Sequence, residues 1–381
     1  FSVRNLTKSG HSKFFLIADM DLSNHSLYTQ NAMKKIDFSQ YDGFIHAGDY
    51  AYDVEDNNGT KGDQYFNYFS NIITRVPYVV VAGNHENYDV SWLFNYRLMM
   101  PDYSEIYRNN FYTVKRGNVF FLYVNYDYVI YLVPGSMNAV LDYVKKELEK
   151  SQNDSSIAWR VVVSHRPIYC GEFPQRRDCT DNFYYFKAFE DLYRRYKVNL
   201  LLGGHEHFYE RLRVLDDMFT LRNVQTTIED GAKVYTELVD PLTIIGGCAG
   251  NVESISNQMQ LSLLTDSFVA NNTQCYAEIT FTNDTFTHTL YASKNLTVLD
   301  KTIVRLSTPP APAPAPQGWQ AWTLFIPVAF VAFVLVAFTA SKLGVRTAPV
   351  QIGDGRVYNK VSAIVPGSTL SGAVEANHNQ I

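Results

Sequence analysis

Apolar and polar positions sort the first 300 residues into strands and helices. Lys13-Phe14-Phe15-Leu16-Ile17-Ala18 is a short apolar run that ends at a carboxylate, Asp19. Gly43-Phe44-Ile45-His46-Ala47 is a second, closed by Gly48 and Asp49. Runs of this length bounded by turn residues predict buried strands. The same pattern predicts strands at 77–81, 118–124, 159–164, 198–202, 242–246, 276–282, 284–292 and 302–306. Between them the apolar spacing shifts to a helical period at 25–36, 62–76, 137–150 and 183–196. In the third of these, Val140, Leu141, Val144 and Leu148 share one face and charges the other. Residues 216–240 show no clear period and read as a long loop. Strands alternating with helices predict an α/β layered fold with mixed sheets. In such folds ligands collect at the carboxyl ends of strands.

The pattern changes after residue 306. Pro and Ala alternate through 309–316, which makes 307–318 a stiff, extended linker. Residues 319–341 are almost wholly apolar, and no charge occurs between Arg305 and Lys342. About 20 such residues span a bilayer as a helix. Trp319 and Trp322 suit one interface, and Lys342, Arg346, Arg356 and Lys360 follow the run. That bias places 342–381 in the cytosol as a disordered tail and 1–306 in the lumen or outside the cell. Seven Asn-x-Ser/Thr sequons, at Asn5, Asn24, Asn58, Asn153, Asn271, Asn283 and Asn295, all precede the apolar run and predict a glycosylated domain. A lumenal domain needs a leader, so the start at Phe1 implies one removed or trimmed. Four cysteines suit an oxidising compartment and allow three pairings. The pairing Cys170–Cys179 with Cys248–Cys275 is favoured because its first pair is local. In the tail, Tyr358-Asn359-Lys360-Val361 fits the Tyr-x-x-apolar pattern read by clathrin adaptors, which predicts a plasma-membrane or endosomal and lysosomal protein. The 381 residues are 46% hydrophobic and 19% charged, ample for a packed core, and a net charge of -5 without a basic run excludes a nucleic-acid binder.

Polar residues gather at five predicted strand ends. They are Asp19; Asp49 with Tyr52; Gly83-Asn84-His85-Glu86; Val162-Val163-Ser164-His165; and Gly204-His205-Glu206-His207. A carboxylate such as Asp49 can bridge two metal ions, and the Tyr52 phenolate is a hard donor suited to Fe(III). Together the blocks supply two carboxylates, a phenolate, an amide and three imidazoles, a nitrogen and oxygen ligand set for two metals with no thiolate.

In this order and spacing the five blocks resemble the purple acid phosphatases, a branch of the calcineurin-like metallophosphoesterases. His46-Ala47-Gly48-Asp49-Tyr50-Ala51-Tyr52-Asp53, His165-Arg166-Pro167, Tyr209-Glu210-Arg211 and Ile244-Ile245-Gly246-Gly247 are similar to the family as well. The resemblance implies a sandwich of two mixed β-sheets flanked by helices over 1–306, β-rich in 241–306. It implies Fe(III) held by Asp19, Asp49, Tyr52 and His207. A divalent ion (Fe, Zn or Mn) would take Asp49, Asn84, His165 and His205. His85 would lie beside the substrate as the acid for the leaving oxygen. The implied activity is hydrolysis of phosphate monoesters by a membrane-anchored acid phosphatase. The alternatives are a phosphodiesterase or nucleotide hydrolase on the same site, or a surface scaffold or receptor with weak turnover.

Three departures stand out. Asp21 replaces the glycine usual two residues after the first aspartate, and so is expected either to add negative charge beside the phosphate or to face solvent. Arg166, Pro167 and Ile168 follow His165, where some members carry a further histidine. With Phe1 only eighteen residues before Asp19, the N-terminal β-sandwich of larger members is not expected in these residues.

Overall fold

The structure is a computed structural model that describes residues 10–86, 92–101, 108–171, 177–213, 224–236, 238, 240–253, 264–269, 273–306, 348–351 and 357–360. The chain divides into two units, 1–313 and 314–381. In the first unit the strands are β1 (Ser12–Ile17), β2 (Gly43–His46), β3 (Tyr78–Val80), β4 (Phe111–Arg116), β5 (Val119–Val124), β6 (Trp159–Val163), β7 (Leu200–Gly203) and β8 (Tyr209–Leu212). They continue as β9 (Thr226–Glu229), β10 (Ala232–Thr236), β11 (Leu242–Gly246), β12 (Thr265–Val269), β13 (Cys275–Phe281), β14 (Thr285–Ala292) and β15 (Val298–Arg305). The helices are α1 (Leu27–Met33), α2 (Thr60–Ile73), α3 (Trp92–Arg97), α4 (Met137–Asn153) and α5 (Arg177–Arg195).

Two mixed sheets form, ordered β3-β2-β1-β13-β14-β15-β10-β9 and β12-β8-β11-β7-β6-β5-β4. Strand β5 shows why they stack. All six of its residues are buried. Alternate side chains of a strand point to opposite faces, so Val119, Phe121 and Tyr123 enter the core that also holds Phe14 and Phe281 of the other sheet. Phe120, Leu122 and Val124 enter a second core, against Val140, Val144 and Leu148 of α4 and Phe186 and Phe189 of α5. A sheet covered on both faces needs such continuous apolar strands.

Strands β1, β2 and β3 pair in parallel, as do β5, β6, β7 and β11. Parallel neighbours put successive carboxyl ends at one edge, and that edge carries the five polar blocks. The α/β reading with mixed sheets therefore holds. The loop expected over 216–240 does not, because it contains the hairpin β9–β10, turned at Asp230-Gly231 with both residues at positive φ, 47° and 76°. Strands β4, β8 and β12 and helix α3 also lie outside the elements read from the sequence.

Cys248 and Cys275 form a disulfide, with Cα atoms 5.2 Å apart. Cys170 is disulfide-bonded as well, while the Cys179 side chain lies outside the described residues. Asn24, Asn58, Asn153, Asn283 and Asn295 are exposed; Asn5 and Asn271 lie outside the described residues. No helix among the described residues is long and apolar enough to cross a membrane, and 307–347, with the expected linker and span, lie outside them. In the second unit, β16 (Ala348–Gln351) and β17 (Val357–Lys360) pair in antiparallel with Tyr358 opposite Val350, where the sequence reading placed only a disordered tail.

Candidate metal centre

Three of the five polar blocks leave their strands through a strained turn. Asp19, Asp49, Tyr52 and His205 all adopt positive φ, between 54° and 70°. A non-glycine residue held there costs about 1–3 kcal/mol and persists only where its surroundings over-determine it. Glu86 supplies part of that determination. Its buried carboxylate accepts from the backbone N–H of Asp49 (2.9 Å), Tyr50 (2.8 Å) and Gly83 (2.8 Å), tying the end of β2 to the end of β3. Burial and the nearby Asp49 push the Glu86 carboxyl well up from the usual range, against the pull of these backbone donors. On the opposite side, the N–H of His205 donates to both oxygens of Asp19, at 3.1 and 2.9 Å.

The side chains converge in two groups with one member in common. Asp49, His165 and His205 each offer an atom within 4.8 Å of the others, and so do Asp19, Asp49 and His207. Tyr52 joins the second group, with its hydroxyl 2.8 Å from His207 Nε2. Asn84 joins the first, with Oδ1 3.2 Å from His165 Nε2. All seven expected ligand residues are thus brought together, with Asp49 between the two halves. His165 Nδ1 lies 2.8 Å from the Ala47 carbonyl. A carbonyl only accepts, so Nδ1 carries the proton and Nε2 is turned to Asp49 Oδ2 at 3.2 Å. Burial opposes charge on His165, yet Asp49 and Asp19 push it up to about 10. Burial works against the Asp49 charge as well, but His165, His85 and His205 hold its carboxyl well below the usual range. Burial, followed by Asp19 and Asp49, pushes the Tyr52 phenol well up. A bound cation inverts that local logic and favours the phenolate.

The backbone makes room for the ligands. A Cβ at Gly48 would collide with the His165 ring, one at Gly83 with the Asp49 carboxylate and one at Gly204 with Asp19. The donor set and this cradle fit two metal ions. One ion would be held by Asp19, Asp49, Tyr52 and His207, and the other by Asp49, Asn84, His165 and His205, a set of nitrogen and oxygen donors.

His85 stands beside the ligands. Its Nδ1 lies 2.9 Å from Asp53 Oδ1, and its Nε2 lies 3.4 Å from Glu253 Oε1 and 4.0 Å from Asp49 Oδ2. Asp53 lay within a block compared with the family, yet the sequence reading gave it no role. Glu253 had no signal at all, because it reaches the site from the loop after β11. Asp127 had no signal either, and Arg166 stood in a block similar to the family without a role: Arg166 Nε donates to Asp127 Oδ1 at 2.7 Å, and its Nη1 lies 2.8 Å from His205 Nε2.

Asp21 corrects an expectation. It is buried rather than turned to solvent, and its Oδ1 accepts from the Ser23 N–H (2.9 Å) and hydroxyl (2.8 Å) while its carbonyl accepts from Ser26. It shapes the turn before α1 and is absent from both ligand groups.

Residues 13–209, just over half the chain, match the calcineurin-like phosphoesterase family. The chain belongs to that family. It is 26% identical over 253 residues to acid phosphatase type 7 of Danio rerio, covering 60% of this chain and 54% of the relative. The chain spans about half the length of the curated relatives it matches first. Among solved structures it is similar to a purple acid phosphatase from seeds of yellow lupin, Lupinus luteus, with a TM-score of 0.61, 18% identity and coverage of 79% of this chain and 55% of that one. It is also similar to GAP50, the anchor in the inner membrane complex of Plasmodium, with a TM-score of 0.56, 13% identity and coverage of 78% and 90%. At these identities the structural likenesses establish the fold.

Proposed function

We propose that the chain is a metal-dependent acid phosphatase that hydrolyses phosphate monoesters at an Fe(III)–M(II) centre. The observation that carries this reading is the place of Asp49 in both ligand groups, which is what a carboxylate bridging two ions requires. Bound metal supplies Lewis-acid charge that acidifies water and neutralises phosphoryl oxygens. The chain's own residues do the rest. Asp53 holds His85 through Nδ1, which leaves Nε2 facing Asp49 and Glu253 at the site. From there Nε2–H can protonate the leaving oxygen of the ester. Glu86 keeps Asp49 in its strained backbone conformation, and the glycines at 48, 83 and 204 keep the ligand side chains close.

Retention of all seven ligand residues with His85 favours turnover over a role as a surface scaffold or receptor. Residues 319–341 and the sequons support a membrane-anchored, glycosylated protein with its catalytic unit in the lumen or outside the cell. Metal analysis with a turnover assay on a phosphomonoester and a bis-ester tests the reading. Two metals per chain with preferred cleavage of the monoester is the expected result. Preferred cleavage of the bis-ester would make the protein a phosphodiesterase, and a metal-loaded chain without turnover would make it a scaffold.

A further inference from the structure

Arg166 stands where it cannot stay once the centre is loaded. A guanidinium has five N–H donors and no acceptor. Its Nη1 lies 2.8 Å from Nε2 of His205, a member of the ligand group with Asp49 and His165. If Nε2 binds the metal, Arg166 sits on the metal's side of the ring. If Nδ1 binds it, Nε2 carries a proton and two donors face each other. In both cases Nη1 must leave His205. It cannot go far, because Nε is tied at 2.7 Å to Asp127 Oδ1, and that carboxylate is only 1% exposed. The side chain therefore turns about the Asp127 contact and keeps its two Nη groups near the ligand group of Asp49, His165 and His205. A cation beside two metal ions is repelled unless an anion lies between them.

We propose that Arg166 is a phosphate clamp, a group that leaves His205 to donate to the phosphoryl oxygens of the substrate, with Asp127 as its positioning residue. The inference rests on the phosphatase reading and adds to it the residue that recognises the dianion. The planar fork of arginine matches phosphate oxygens in pairs, whereas lysine offers a point charge.

The test uses the full chain loaded with metal and inorganic phosphate as the probe, with binding measured by calorimetry and inhibition measured alongside metal content. Charge-assisted hydrogen bonds of this kind correspond to a loss of about ten- to hundredfold in phosphate affinity for Arg166→Met. Arg166→Lys should fall between that variant and the wild type. Asp127→Asn should weaken phosphate less than Arg166→Met, because it loosens the pivot without removing the donors. Metal content should stay at the wild-type level in all three. Phosphate affinity within twofold of wild type in folded, metal-loaded Arg166→Met and Arg166→Lys overturns the proposal. Loss of metal from both overturns it too, because Arg166 would then support the ligands. A wild type that binds phosphate but turns over no monoester defeats the phosphatase reading alone, and the comparison of variants still decides the role of Arg166.

Discussion

Asp49 can bridge only while its backbone stays in the left-handed region, and Glu86 is the group beneath that conformation. Glu86→Gln keeps one acceptor oxygen and puts an N–H₂ against backbone donors. Leaving buried donors unsatisfied costs about 1–3 kcal/mol. We expect a lower melting temperature and a smaller share of chains retaining two metals, read by calorimetry and metal analysis. Unchanged metal retention would mean that Asp49 holds its place without Glu86. Tyr52 carries a second prediction. With the Fe(III) proposed above, Tyr52 as a ligand should give a visible charge-transfer band, and Tyr52→Phe should bleach it with the fold intact, since one hydroxyl is lost. An unchanged spectrum would remove Tyr52 from the metal. At this scale the sequence was most informative about ligands, because each sits in a short block at a strand end. Residues that act on ligands through one more contact, such as Asp127 and Glu253, left no such trace. Asp21 is legible as a departure but not as a buried turn residue, because nothing in the sequence shows that Ser23 and Ser26 fold back onto it.

At the level of elements, the strands found from sequence are the apolar ones, and β8 is missed because it buries charge. Strand β8 is wholly buried, yet it reads Tyr209-Glu210-Arg211-Leu212. Arg211 donates from Nε and Nη2 to Asp300 at 2.9 and 3.0 Å and from Nη1 to Tyr235 at 2.8 Å, and it also pairs with Asp266. Its partners come from β10, β12 and β15, all distant in sequence, so no local pattern could announce the strand. Hairpin β9–β10 is a different miss: Asp230-Gly231 is a hairpin turn signal, but Thr226–Glu229 is exposed throughout and offers no apolar period beside it, so 216–240 reads as a loop. Removing one partner from a buried charge group costs about 3–5 kcal/mol because the other charges are left uncompensated. Arg211→Met should therefore lower the unfolding free energy measured in urea by an amount on that scale. It should leave the metal content of the remaining folded protein unchanged, since Arg211 is absent from the ligand groups. A shift under about 1 kcal/mol would show that Asp300 and Asp266 are satisfied without it.

For the molecule as a whole, the acidic conditions that suit the proposed chemistry act against a histidine between the sheets. His288 on β14 is fully buried, with both ring nitrogens lacking a hydrogen-bond partner among the described residues. Its ring stacks on Tyr209 with centroids 5.8 Å apart. Burial lowers its pKa to about 4, with Arg211 acting in the same direction and Asp300 against it. The sign follows from which state takes the proton. Between the ordinary value of 6.5 and about 4, the unfolded chain binds a proton at this position that the folded chain refuses. Stability is therefore complete above 6.5, falls as the pH drops through that window and levels off below it. The full depression corresponds to a loss on the order of 3 kcal/mol. His288→Leu removes the titration and both unpartnered nitrogens. Stability curves of wild type and variant, measured by urea unfolding from pH 7.5 to 4, should run together or favour the variant slightly at neutral pH and diverge in its favour on acidification. Curves that stay parallel across the window would mean that His288 remains neutral in both states or takes its proton inside the fold.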